Sequence, residues 1–325
     1  MTRMHDTRKS LWECMLLLIL IGLFFGCERK IEEQDTVSLE DLNVQANLVF
    51  LYYKDLASAR DFYANTLGLE MVLDYGFAKL FRISKTTYVG LVDEQKGMHK
   101  TTEPKTVTLS FVTEEIDEWY TYLMGKGVEM RGELRDATRH PTRGFVAFDP
   151  EGYFLEFERF LEHSQNSKLL TRMSQSESVY PPEASESSRP NNLGIQANII
   201  WLYYRDLERA QKFYEDVLGL KLITDQGFAK VYACSSTGYI GLVDESQGLH
   251  RFSDEKAVTV SFISSQIDEW YTYLTEQGLE MREVLSNGET IPVRAFVTYD
   301  IAGYFLEFDF FDEDERNTKI LDYLR

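Results

Sequence analysis

Cysteine and histidine are scarce in this chain of 325 residues, which has three cysteines and five histidines. Two of the cysteines, Cys14 and Cys27, lie close to the N-terminus, so Cys234 has no cysteine partner in the remainder of the chain. No Cys-x-x-Cys pair occurs, whereas structural zinc sites are built from four Cys and His ligands. These shortages exclude an intradomain disulfide framework and do not support a structural zinc site.

Positive charge is also in short supply, because 53 Asp and Glu residues outnumber 34 Lys and Arg residues and leave a formal net charge of −19. Phosphate backbones repel such a chain, so nucleic acid is not an expected partner. Anionic lipid repels it as well, so attachment to a membrane requires a hydrophobic or covalent anchor. The composition is otherwise 44% hydrophobic and 14% aromatic, which predicts packed cores.

One apolar run stands near the N-terminus, at residues 15–25, behind a basic segment. It is too short to span a bilayer comfortably as a helix, and its length is typical of a signal peptide. Gly26-Cys27 at its end resembles a bacterial lipobox, which implies that Cys27 is lipidated and that the acyl chains form a stable anchor. The alternative is an uncleaved signal anchor in which Cys27 has no role.

The lipobox reading predicts an exported lipoprotein of the bacterial envelope, anchored in a membrane with its folded part on the periplasmic or surface face. Residues 1–27 are then the signal peptide with its lipobox-like end. Residues 28–44 are rich in Glu, Asp and Gln and are expected to form a polar tether.

The rest of the chain is a tandem repeat, in which equivalent residues such as Trp119 and Trp270 are separated by 151 positions. The copies align without a gap and predict two modules, at residues 45–160 and 195–311. Residues 161–194 are dominated by Ser, Pro and Glu and predict a disordered linker. Residues 312–325 form a C-terminal tail in which a short helix is expected.

Each module shows the order βαβββ twice, which predicts an α+β fold built from paired half-modules. Residues 46–53 are apolar and rich in β-formers, and the apolar residues that follow recur at helical spacing up to Gly68. Residues 116–127 repeat the helical pattern, and short strand patterns fill the intervals. The pairing partner of each half stays open: the modules form one intramolecular pseudo-dimer, or each closes on its own halves.

Three motifs of the first module resemble, in order, the opening, the second helix and the closing strand of vicinal oxygen chelate domains. They are DLxxAxxFY with LGL at residues 55–69, IDEW with a later GV at residues 116–128, and DPEGYFLEF at residues 149–157. The second module repeats all three, with Ile301-Ala302 in place of Pro-Glu. The superfamily includes glyoxalase I, bleomycin-resistance proteins and extradiol dioxygenases. The resemblance implies tandem modules, each of paired βαβββ units that form an open, barrel-like concave sheet.

The resemblance also implies a cavity in which a divalent metal acts as a Lewis acid on a chelated substrate. In metal-dependent members the ligands are a His or Gln on the first strand, a second His before the second helix and a carboxylate on the closing strand. The matching residues of the two copies are Leu48 and Ile199, Thr108 and Thr259, and Glu156 and Glu307. One carboxylate beside an alkyl group and a hydroxyl is a poor divalent site. No metal ligand is assigned, no cofactor is expected, and a divalent metal is disfavoured but stays open.

Glu156 and Glu307 are the candidate cavity carboxylates. Each is either a wall residue hydrogen-bonded to Tyr or Thr, or a general base or ligand anchor whose pKa burial would raise. Thr108 and Thr259 are candidate ligand-binding residues at the same walls.

The longest polar block shared by the copies covers residues 88–99 and 239–250. Its strand is followed by an acidic, glycine-bearing loop that ends in His99 or His250, and such a loop can close over a cavity. The histidines are then candidate acid–base groups or metal ligands, and Tyr88 and Tyr239 are candidate ligand contacts. The alternative is a structural loop retained from the duplication.

Arg143 and Arg294 precede the penultimate strand of each module. They are candidates to bind an anionic ligand or to pair with the cavity carboxylates, and a surface salt bridge is the alternative. Four strand aromatics either line a cavity or belong to ordinary core: Phe50, Tyr52, Tyr53 and Trp201.

The leading functional prediction is that the module cavities bind a small organic molecule without a tightly bound metal, as bleomycin-resistance proteins bind without chemistry. The first alternative is a metal-dependent lyase, isomerase or dioxygenase that combines Glu156 with an unusual ligand such as His99. The second is a surface interaction protein in which the fold is an inert scaffold. Because both copies lack the same histidines, we expect them to share one function.

Overall fold

The computed structural model describes residues 37–138, 140–182, 187–288 and 290–325. The predicted signal peptide, Cys27 and the first part of the tether lie outside these residues. Val37–Arg325 form one compact unit. Within the described residues, no helix has the length and apolar character needed to cross a membrane.

The α+β fold class is confirmed, with the two modules containing equivalent elements. The strands of the first module are β1 (Ala46–Tyr53), β2 (Glu70–Asp74), β3 (Ala78–Ser84), β4 (Thr87–Asp93), β5 (Val107–Val112), β6 (Arg135–Asp136), β7 (Thr142–Phe148) and β8 (Phe154–Phe160). Those of the second are β9 (Ala197–Tyr204), β10 (Lys221–Asp225), β11 (Ala229–Ala233), β12 (Gly238–Asp244), β13 (Val258–Ile263), β14 (Met281–Ser286), β15 (Val293–Tyr299) and β16 (Phe305–Phe311).

The helices are short. They are α1 (Leu56–Asp61), α2 (Ile116–Gly125), α3 (Ser167–Met173), α4 (Leu207–Lys212), α5 (Ile267–Glu276) and α6 (Thr318–Leu324). Helices α1 and α4 each continue into a π-helical turn, at Phe62–Thr66 and Phe213–Val217. The side chains of Asp55 and Asp206 cap α1 and α4 by accepting hydrogen bonds from backbone N–H groups, which explains the aspartate that opens each repeat motif.

The strands form two eight-stranded sheets, and each sheet takes four strands from each module. The first sheet has the order β14-β15-β16-β13-β1-β4-β3-β2, and the second has the order β10-β11-β12-β9-β5-β8-β7-β6. The modules are joined by antiparallel pairing of β1 with β13 and of β5 with β9. Neither module closes on its own halves, so the chain is an intramolecular pseudo-dimer with exchanged half-modules.

Alternation along the strands gives each sheet a helix-covered face and a concave face. On β1, Val49, Leu51 and Tyr53 join the large core beneath the helices, and the residues between them point to the concave side. Trp119 of α2 packs on Phe157 of β8 at 5.0 Å between ring centroids, so the tryptophan is core as expected. The concave faces are therefore the places where these sheets leave room for a ligand.

Residues 161–194, which the composition predicts to be a disordered linker, are folded over most of their described length. Helix α3 buries Leu169 and Met173 against the end of the second sheet. Arg189 is buried, and its guanidinium donates to the carbonyls of Val179 and Leu193 at 2.8 and 2.6 Å and lies 4.9 Å from the Trp119 ring. Two apolar anchors and one arginine thus hold a segment whose composition alone suggests disorder.

The C-terminal tail forms the expected short helix, α6, which is the repeat equivalent of α3. Ile320 of α6 is fully buried in a cluster with Leu48 and Tyr88. Each of these helices therefore closes one end of a concave face.

The end of the predicted tether also packs on the fold. Asn43 accepts a hydrogen bond from Trp270 Nε1 at 3.0 Å through its carbonyl, and its N–H donates to Gln266 at 3.0 Å. Residues 37–44 are thus part of the second module's helical layer rather than a free tether.

Candidate functional site

Each concave face encloses a cavity, and the two cavities differ in size. The one in the first sheet, called the larger cavity below, measures about 350 Å³, and the one in the second sheet, the smaller cavity, measures about 130 Å³. The larger cavity is walled by Phe50 and Tyr52 of the first module and by Glu307 and Asp309 of the second. Because both modules contribute walls, neither cavity exists in one module alone.

Two carboxyl groups face the larger cavity from one strand. Glu307 and Asp309 are two positions apart on β16 and therefore share a face. Asp309 accepts a hydrogen bond from Ser261 Oγ at 2.5 Å, whereas Glu307 has no hydrogen bond among the described residues. Burial raises the pKa of Asp309 to about 7. Burial and then the neighbouring Asp309 raise the pKa of Glu307, while Arg282 opposes the rise.

The smaller cavity repeats this arrangement with Glu156 and Glu158 of β8. Ser110 Oγ donates a hydrogen bond to Glu158, and burial raises the pKa of Glu158 to about 7. Burial followed by repulsion from Glu158 raises the pKa of Glu156, and Arg131 opposes the rise. Each cavity thus holds a carboxyl pair that keeps a proton at a higher pH than free carboxyl groups do.

The difference in volume has a side-chain cause. Trp201 occupies in the smaller cavity the position that Phe50 occupies in the larger one. His140 and Phe228, with ring centroids 5.5 Å apart, line the smaller cavity as well, and the equivalent of His140 in the larger one is the aliphatic Ile291. The larger ring of Trp201 therefore contributes to the difference in volume.

A glycine beneath each of these rings makes the arrangement sterically feasible. A Cβ at Gly90 would lie 2.3 Å from the Phe50 ring, and one at Gly241 would lie 2.0 Å from the Trp201 ring. Both separations are shorter than non-bonded carbon atoms approach in proteins. Each ring therefore packs directly against the backbone of its glycine. This contact explains the glycine within the shared block at residues 88–99 and 239–250.

The positions at which the family places metal ligands come together across the modules. In the first sheet Leu48, from the first module, lies in register with Ser261, which in turn pairs with Glu307. Thr259 lies on the same face, and its hydroxyl is 2.7 Å from the hydroxyl of Tyr52. The second sheet assembles Ile199, Thr108 and Glu156 in the same way, with Thr108 bonded to Tyr203 at 2.7 Å.

This donor set does not fit the metal site of the metal-dependent relatives. Alkyl groups occupy the first ligand position, and the threonine hydroxyls at the second are engaged by tyrosines. Across the described parts of the chain, no group of three or more His, Cys, Asp or Glu side chains is placed to hold one ion. The arrangement can instead anchor a polar or cationic group beside an apolar body, or move a proton.

His99 and His250 pack beside the cavities rather than lining them. The His99 ring lies 4.3 Å from Phe305 and 5.0 Å from Tyr52, and its Nδ1 is 2.6 Å from Glu103. Burial lowers the pKa of His99, an effect that the Glu103 carboxylate opposes, and burial lowers the pKa of His250 to about 4, so the His250 ring is neutral at neutral pH. The loop thus places each ring from one module against the closing strand of the other.

Tyr88 and Tyr239 are fully buried; the Tyr88 hydroxyl has no hydrogen-bond partner within the described structure, and the guanidinium of Arg172 lies 5.9 Å from the centroid of the Tyr239 ring. Tyr88 packs among Leu48, Leu80 and Ile320 at the end of the sheet that α6 closes. Neither tyrosine is among the residues that line the two cavities.

The assignment of Arg143 and Arg294 to ligand binding needs correction. Arg143 pairs with Asp117 at 2.6 Å and with Asp136 at 2.9 Å, and Arg294 pairs with Asp268 at 2.6 Å. Both arginines are on the helix-covered side, because their strand positions alternate with those that face the cavity. They form the surface salt bridges given above as the alternative.

Two cavity carboxyl groups and two arginines near them were not predicted from the sequence. Glu158 and Asp309 lie two positions after Glu156 and Glu307, and the period of a strand was the signal that could have identified them. Arg131 and Arg282 are also repeat equivalents, and each opposes the raised pKa of a cavity glutamate. No local motif indicates these arginines.

Comparisons with known proteins agree with this architecture. Residues 45–157 match the model of the Glyoxalase/Bleomycin resistance protein/Dioxygenase superfamily, and residues 201–238 match that of the Bleomycin resistance protein-like N-terminal family. No curated protein sequence matches the chain.

Two solved structures share the fold over most of the chain. Glyoxalase I from Zea mays superposes with a TM-score of 0.56 at 15% identity, covering 87% of this chain and 95% of that one. A putative dioxygenase from Bacillus subtilis subsp. subtilis str. 168 superposes with a TM-score of 0.58 at 13% identity, covering 86% and 89%. At these identities the likeness establishes the fold alone.

Proposed function

We propose that this chain, which belongs to the Glyoxalase/Bleomycin resistance protein/Dioxygenase superfamily through two tandem modules, binds a small organic molecule in its larger cavity. The observation that carries the proposal is the cavity volume of about 350 Å³. Pockets that hold small ligands begin at roughly 300 Å³. The smaller cavity, at about 130 Å³, is below the roughly 150 Å³ of a cavity that accepts benzene.

Binding without a resident metal is part of the proposal. It is supported by Leu48 at the first ligand position and by the hydrogen bond that engages Thr259. Metal analysis of the chain from residue 37 tests it. Stoichiometric Zn, Fe, Mn or Ni that disappears in Glu156→Ala and Glu307→Ala would instead establish the metal-dependent enzyme.

A thermal-shift screen of small organic molecules tests the binding itself, since a ligand of the folded state raises the melting temperature by mass action. Phe50→Trp installs the ring of the smaller cavity in the larger one and should abolish the shift. Trp201→Phe is the matched control, because it leaves the larger cavity unchanged. If no compound shifts the wild type, or if Phe50→Trp responds like the wild type, the scaffold alternative is preferred.

The membrane location is a separate proposal. The apolar run and Gly26-Cys27 support lipidation of Cys27 and anchoring in the bacterial envelope. Labelling cells with an alkynyl fatty acid should tag the wild type and leave Cys27→Ser untagged. Equal labelling of both proteins would refute lipidation at this residue.

A further inference from the structure

The larger cavity combines aromatic walls with a carboxyl pair that forms no ion pair with any residue the structure describes. Phe50, Tyr75 and Phe77 supply aromatic surface from the first module, and Glu307 and Asp309 face them from the second. Asp309 is 3% exposed and accepts one hydrogen bond, from Ser261. A buried carboxylate with so little compensation requires either a proton or a cation.

Two cations lie near the pair, and among the described residues neither forms an ion pair with Glu307 or Asp309. Arg282 forms an ion pair with Glu283, and its guanidinium carbon lies 4.8 Å from the Phe305 ring centroid. Lys96 lines the cavity at its exposed edge, and its Nζ lies 6.0 Å from the centroid of Phe77. Of the acidic groups, Glu283 also lines the cavity and adds negative charge. The Tyr52 hydroxyl is engaged by Thr259.

Building on the proposed binding function, we infer that the ligand of the larger cavity is an organic cation. Its protonated amine binds the Glu307–Asp309 pair, and its apolar body packs against Phe50 and Phe77. An ammonium supplies the missing positive charge and N–H donors to both carboxylates. The rings add cation–π attraction, and the net charge of −19 favours the approach of cations.

The bound amine takes the place of a proton. In the free protein the pair holds a proton, because burial raises the pKa of both carboxyl groups. When the ammonium arrives, this proton leaves to solvent and the pair becomes fully ionised, while the amine keeps its own proton. Affinity should therefore rise with pH through about 7, since an aliphatic amine stays protonated up to about pH 10.

The smaller cavity provides an internal control. Glu156 and Glu158 form the same kind of pair, but Trp201 and His140 leave about 130 Å³ beside them. A substitution in that pair therefore changes the same chemistry at a place where an aromatic amine does not fit.

Isothermal titration calorimetry on residues 37–325 at pH 7.5 tests the inference with defined probes. Tyramine and tryptamine are compared with their neutral alcohol isosteres, tyrosol and tryptophol. The wild type should bind at least one amine about tenfold or more tightly than its alcohol. Glu307→Gln and Asp309→Asn should abolish that preference, and Glu158→Gln should retain it.

Other outcomes separate this inference from the function on which it rests. Equal affinities for amine and alcohol, unchanged in Glu307→Gln and Asp309→Asn but lost in Phe50→Trp, would keep the binding function and overturn the cation. No amine binding to the wild type at millimolar concentration would also overturn it. Titrations in phosphate and in Tris buffer should reveal proton release on amine binding, and its absence would count against the exchange of proton for ammonium.

Discussion

Replacing Asp309 by Asn should make the protein more stable than the wild type at alkaline pH. Asparagine keeps the shape of the side chain and an oxygen that can accept from Ser261, so the substitution mainly removes the ability to ionise. The wild-type carboxyl must ionise in a buried place as the pH rises, and the variant has no such cost.

The size of the effect follows from the pKa of Asp309, which burial raises to about 7. An unfolded chain has an Asp pKa of about 3.9, and each pKa unit corresponds to about 1.4 kcal/mol, so the full difference is about 4 kcal/mol. Because the folded-state pKa is the higher one, the wild type loses this stability as the pH rises from about 4 to about 7. About 3 kcal/mol of that loss falls between pH 5 and pH 8.

Urea denaturation of residues 37–325, followed by tryptophan fluorescence at pH 5 and pH 8, measures the free energy of unfolding. The difference between Asp309→Asn and the wild type should shift in favour of the variant by about 3 kcal/mol from the lower pH to the higher. Glu158→Gln, the equivalent substitution in the second sheet, should show a similar shift in the free energy of unfolding.

Asp268→Asn is the control, because Arg294 lowers the pKa of Asp268 and its pH-dependent contribution lies below about pH 4. The difference in unfolding free energy between Asp268→Asn and the wild type should be nearly the same at pH 5 and pH 8. If Asp309→Asn shows the same constant difference, the carboxyl pair does not hold a proton and the reasoning fails.

Three further predictions concern the packing of Phe50 on Gly90, the buried Asp149 and the pairing of the two modules. Gly90→Ala should cost about 1–3 kcal/mol of unfolding free energy, because its Cβ would lie 2.3 Å from the Phe50 ring, whereas Gly125→Ala, with open space around it, should be neutral or stabilising in urea titrations. Asp149→Ala should cost about 3 kcal/mol or more, because the hydroxyl of Tyr53 and the backbone N–H of Tyr153 would lose their acceptor, and an unchanged urea midpoint would contradict this. The first module alone, residues 45–176, should form a homodimer in light scattering, because its β1 lacks β13 and the β5 of a second copy presents the equivalent edge; a stable monomer would argue against half-module exchange.

The local elements of the fold were predictable because their signals are local. The apolar β-rich run at residues 46–53 coincides with β1, and the three motifs of the first module lie within residues 45–157, which match the superfamily model. The partner of β1 was not predictable, because β5 and β13 are repeat equivalents and present similar residues. Only the tertiary structure decides between Thr108 and Thr259 as the residue opposite Phe50.

The folding of residues 161–194 and the sizes of the cavities depend on packing between distant parts of the chain, so they could not be predicted from local sequence. Leu169 and Met173 have helical spacing within a segment dominated by polar residues, and their burial comes from a surface supplied by the second module. The closing motif predicts Glu156 and Glu307, whereas it does not predict that the two cavities differ in volume, to which the larger ring of Trp201 contributes. Aligning the two copies by sequence identity does not reveal the volume of either cavity.

The covalent link between the exchanged half-modules has an evolutionary consequence. In a homodimer of single modules, symmetry would place every substitution in both pockets at once, so neither pocket could change without the other. In this chain the strands β1 and β9 are encoded separately, and a larger aromatic ring in one leaves the other untouched. Joining the two modules in one chain thus allows the two pockets to diverge. One pocket can stay open while larger side chains occupy the other, which then contributes to the structure alone.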